Sequence, residues 1–151
     1  MATLILHLDQ LMSSESARFI LYDSEGHHLG DRDGKLGLIQ LGVEETTYLI
    51  DVVKLPDAVS MLKTYLEDGR LRKYVWDGRS DYSELRHGHG VTLKGIIDLQ
   101  LVYIHATGQN GRVIQLSNMM NAARHLSALP RIQLDEIHSS MSRNVLYPKA
   151  I

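Results

Sequence analysis

Residues 19 to 30 read FILYDSEGHHLG, an apolar run that ends in two acids one residue apart with a glycine directly behind them. Phe19 to Tyr22 leave no polar side for a surface helix, so the run predicts a strand buried on both faces. In an extended segment residues i and i+2 point the same way, and Asp23 and Glu25 therefore present two carboxylates from one face at the strand's end. Like charges that close repel. A hard divalent cation offsets the repulsion, because Mg²⁺ and Mn²⁺ prefer carboxylate oxygens.

Composition narrows the classes of protein that could carry such a pair. A chain of 151 residues with 44% hydrophobic content can bury one substantial core, which predicts a single domain over 1–151. The net charge of -2 gives no global basic field, so any contact with nucleic acid must come from local patches. Without cysteine, disulfides, zinc–thiolate sites and cysteine nucleophiles are excluded. The start, MATLILHLDQLM, lacks a basic leader and holds His7 and Asp9 inside its apolar stretch, a poor signal peptide. No apolar run is long enough to span a membrane. The expectation is an intracellular protein, cytoplasmic or nuclear, with no membrane partner.

Around the opening stretch the chain alternates strand-like and helix-like segments. Leu4, Ile5, Leu8, Leu11 and Met12 form a helical stripe over 3–12, and the strand at 18–23 follows. The turn GDRDGK leads to a second strand at 36–42, and TTYLID at 46–51 is a third, rich in β-branched and aromatic residues. Their close spacing predicts a three-stranded antiparallel meander. Pro56 marks the start of a helix that presents Val59, Leu62, Tyr65 and Leu66 on one side and stops at Gly69. A fourth strand at 72–77, a helical SDYSELRHG and a short element over 91–98 come next, then helices near 98–107, 114–126 and 131–142. The sum is an α/β fold: a mixed sheet, meander first, with helices on both faces. Several superfolds share that pattern.

A second acidic position separates them. In WDGRSDYSEL, Asp81 falls in the first turn of the predicted helix, at the C-terminal end of a strand expected to neighbour the first. Ligands gather at that end of such sheets. Asp23, Glu25 and Asp81 are therefore the candidate metal-binding and catalytic residues, able to activate a water and steady a leaving oxygen in phosphoryl chemistry.

The order YDSEG, LIQLG, YLID, KYVWDGRSDYSEL, IIDLQLVYI resembles the 3′-5′ exonuclease domain of the DEDD superfamily, in its ribonuclease D-like branch with a ribonuclease H-like fold. The resemblance covers residues 17 to 106 well and continues weakly beyond; the GHHLGDRDG turn looks most like fungal members. It implies that Asp23 and Glu25 match the family's Asp-x-Glu motif and Asp81 its second motif. Together such acids hold two divalent cations, Mg²⁺ or Mn²⁺, that attack the 3′-terminal phosphodiester of RNA or DNA. Asp98 matches a family aspartate that opens a helix and is not a metal ligand. The family also needs a third motif, a Tyr or His four residues ahead of an Asp, to orient the water and complete the cage. The tail from Gln115 to Ile151 resembles the stretch before that motif, Asp135 has Arg131 four residues ahead of it, and no acid follows Tyr147. The expectation is a C-terminally incomplete domain with impaired hydrolysis, or else a catalytically silent relative kept as a nucleic-acid or protein interaction module.

The remaining polar residues have plainer readings. Asp77 is expected to cap the helix that carries Asp81. His27, His28, His87 and His89 sit in glycine turns without a helical i, i+4 pair and are expected to be exposed loop residues rather than zinc ligands. Arg70, Arg72 and Lys73 suit a solvated strand edge, Trp76 a strand-centre core position, and Met119 and Met120 helix packing.

Overall fold

The computed structural model describes residues 1–13, 19–106 and 118–125. The helix predicted at 131–142, both ends of the one at 114–126, Asp135 and the tail after it lie outside the described residues. A five-stranded mixed sheet runs in the order β3-β2-β1-β4-β5. Its strands are β1 (Phe19–His27), β2 (Lys35–Val43), β3 (Thr46–Asp51), β4 (Arg72–Val75) and β5 (Ile96–Asp98). The meander is present: β1 to β2 and β2 to β3 pair antiparallel, while β1 to β4 and β4 to β5 pair parallel. Helices α1 (Ala2–Ser13), α2 (Ala58–Glu67), α3 (Arg79–Gly88), α4 (Leu99–Ala106) and α5 (Met119–His125) complete the order.

One face of the sheet is the core. Leu4, Leu8 and Leu11 of α1 and Val59, Leu62 and Leu66 of α2 recur at helical spacing and pack with Ile20 and Tyr22 of β1, Ile39 and Leu41 of β2, Val75 of β4 and Leu85 of α3. Burial along β1 alternates, so the expectation of a strand buried on both faces is corrected. Ile20 and Tyr22 are buried, whereas Phe19 and Leu21 keep 46% and 52% of their surface exposed. The apolar run misled because an aromatic and a leucine on the open face read like core; Phe19 there meets the edge of Tyr74, with ring centroids 5.4 Å apart.

Four local expectations change with it. Pro56 lies ahead of the helix, which takes Asp57 as its N-cap and ends at Glu67. Lys73 does not belong to a solvated edge, since β4 lies inside the sheet. Its side chain is fully buried on the core side, its Nζ donates to the Asp68 carbonyl at 2.7 Å, and burial holds its pKa down at about 8. Trp76 sits one residue past β4, half-buried and tilted against Tyr103 of α4 with 6.3 Å between ring centroids. Met119 is exposed at the start of α5. No helix among the described residues is long and apolar enough to cross a membrane.

Candidate active site

β1 carries Asp23 and Glu25 on its open face, as strand alternation requires. Asp23 stands level with Gln40 of β2, whose side-chain amide donates to Asp23 Oδ2 at 3.1 Å. Behind Glu25 the register slips at Gly26. A Cβ at Gly26 would lie 2.1 Å from the Lys35 carbonyl oxygen, so a glycine is what lets β2 close up behind the acids.

Ser24, between the two acids, points to the opposite, buried side. There it meets α3. Asp81, in the first turn of that helix, accepts the Ser24 backbone N–H on Oδ1 at 3.0 Å, and the Ser24 hydroxyl donates to the same oxygen. A carboxylate 57 residues along the chain is thus fastened to the middle residue of the Asp-x-Glu triplet.

The turn that launches α3 is itself held. Asp98, at the end of β5, accepts backbone N–H groups from Asp77 at 3.2 Å and Gly78 at 3.3 Å, and also the Gln100 N–H at 2.9 Å. One carboxylate therefore pins the entry to α3 and opens α4. Asp77 is not the cap expected of it. Gly78 occupies the N-cap position, Asp77 adopts a left-handed φ of 54°, and its carboxylate pairs with Arg79 at 2.6 Å. The left-handed turn swings the Asp77 side chain outward, away from the helix amides.

The charges of the two segments act on each other. Burial first, then the charges of Asp81 and Glu25, push the Asp23 carboxyl up from 3.8 to about 6. Burial also raises Asp81, against the opposing pull of its Ser24 hydrogen bonds. Tyr22, inward of Asp23, is raised by burial.

The donor set has the chemistry of a hard-cation site: carboxylate oxygens from two segments, one with its proton held unusually tightly. Among the described residues no group of three His, Asp or Glu side chains is arranged to hold a metal, and Oδ1 of Asp81 is engaged by Ser24. His27 and His28 stack on each other at 3.9 Å between ring centroids, exposed at the end of β1, and His87 and His89 are exposed at the end of α3. Ser24 and Gln40 escaped the sequence reading. Ser24's inward direction follows from alternation once β1 is drawn, but Gln40's place opposite Asp23 depends on the length of the hairpin and its bulge.

A family model for the 3′-5′ exonuclease domain matches residues 6–149. The chain belongs to the 3′-5′ exonuclease family. Within it, RNase D of Trypanosoma brucei in its GMP complex is 25% identical with a TM-score of 0.72 over 95% of this chain and 44% of that one. The RNase D complex with RNA U12 gives 26% and 0.67 over 83% of this chain and 45% of that one. The EXO domain of Aedes aegypti Nibbler, at 21% identity, shares the fold with a TM-score of 0.57 over 85% of this chain and 73% of that domain. This exonuclease-family chain spans less than half the length of those two RNase D chains. No curated protein matches it.

Proposed function

We propose that the chain is a divalent-metal-dependent exonuclease-type domain that engages the 3′ end of a nucleic acid, with Asp23, Glu25 and Asp81 as the cation ligands. One observation carries this reading: Asp81 is fastened to Ser24, between the two acids of the first motif. The family's dependence on divalent metal and the GMP and RNA complexes of the RNase D neighbour support it. A cation held there would neutralise charge at the scissile phosphate and lower the pKa of a water beside it. The chain's own part is to gather the oxygens, to present Asp23 without its proton above about pH 6, and to keep Asp81 in place through Ser24.

A second reading, binding without cleavage, is favoured by the engagement of Asp81 Oδ1 by Ser24. A 5′-labelled single strand with Mn²⁺ separates the two. A ladder of shortened products that disappears in Asp23→Ala supports hydrolysis. Retained binding with no ladder supports the second reading, and a ladder that survives Asp23→Ala removes the proposed site.

A further inference from the structure

β3 ends the sheet, and among the described residues no strand pairs with its outer edge. Such an edge offers a row of free backbone donors and acceptors, which proteins ordinarily guard with proline, lysine, a bulge or a covering element. Thr46 to Ile50 carry no charge and no proline, and β3 pairs with β2 in unbroken register. The edge is also apolar. Leu49 is 65% exposed on the open face, and Val53 and Leu55, just past the strand, are 77% and 45% exposed.

We propose that this edge joins two copies of the chain, antiparallel about a twofold axis through Leu49, so that two sheets become one. The sequence is complementary to itself about that point. An axis normal to the sheet keeps residues of the same face opposite each other, which sets Leu49 against Leu49 of the second copy and Thr47 against Asp51 of the second copy. It also turns Glu45 of each copy toward Lys54 of the other, an exposed lysine whose amine also pairs with Asp51 of its own chain at 3.0 Å, while Glu44 stays paired with His7. A single β3 edge per chain closes the assembly at two. Asp23 and Glu25 lie two strands away on an open face that this contact does not cover.

Sedimentation from low to high micromolar concentration tests the interface. Wild type should pass from monomer to dimer and no further, with the amides of Thr46 to Ile50 gaining protection from hydrogen exchange as it does. Leu49→Lys and Leu49→Glu each set like charges face to face at the axis and should stay monomeric. Their unchanged circular dichroism would reflect how little Leu49 contributes to the monomer. Mixing the two variants should restore the dimer, because lysine then faces glutamate. A wild-type monomer at every concentration, a dimer that survives Leu49→Lys, a mixture that stays monomeric, or assembly beyond two would each overturn the proposal. None of these outcomes bears on metal binding at Asp23.

Discussion

Asp23 feels its neighbours more than its exposure suggests. The folded chain holds its proton up to about pH 6 against an ordinary value of 3.8, so folding favours the neutral form. The sign follows. That contribution is complete below about pH 4 and is lost as pH rises through about 6, so at about pH 7 the ionised group weakens the fold. Asp23→Asn should therefore melt higher than wild type at about pH 7 without metal, by roughly 1 kcal/mol or less because water screens an exposed side chain, and equally at about pH 4. Thermal melts at the two pH values check this. Ser24 has the opposite sign. Its hydroxyl serves a buried carboxylate, and Ser24→Ala should cost about 1–3 kcal/mol in denaturant unfolding, with Ser24→Thr recovering most of it.

Elements place these residues, and Asp98 shows how. Its carboxylate holds the N–H groups of residues 77 and 78, at the mouth of α3, and of residue 100, in the first turn of α4. Asp98→Ala should cost about 2 kcal/mol and speed hydrogen exchange at Asp77 and Gly78, while Asp98→Asn, with one carbonyl oxygen left, should lose about half as much. Exchange rates read at those two amides distinguish a loosened turn from a general loss of stability. The strands and α1 to α3 were legible in the sequence because period and turn chemistry are local. Alternation put Asp23 and Glu25 on one face, and the helix start put Asp81 in a first turn. What the sequence hid was non-local: which face of β1 would go uncovered, that Lys73 would bury its stem and bond the Asp68 carbonyl, and that a left-handed residue at 77 would turn its carboxylate away from the cap. Each depends on neighbours that arrive from far along the chain.

Over the whole molecule, the parallel pairing of β1 with β4 is what brings the two acidic segments together, since both strands then end on the same side of the sheet. Asp81 and Glu25 there repel the Asp23 carboxylate, a repulsion that a cation bound at the proposed site would relieve only in the folded state. Mn²⁺ should therefore raise stability by RT ln(1 + [Mn²⁺]/Kd), about 2.7 kcal/mol at a hundredfold excess over Kd. Protons compete for the same oxygen, so the gain should shrink as pH falls through about 6. Asp23→Asn then has two signs in one protein: more stable than wild type without metal at about pH 7, and less stable with millimolar Mn²⁺, where wild type gains and the variant does not. Differential scanning fluorimetry of both chains, with and without the ion, reads the crossing directly. Parallel shifts in the two chains would mean that the ion binds elsewhere, and no shift in wild type would mean that the three carboxylates do not share it.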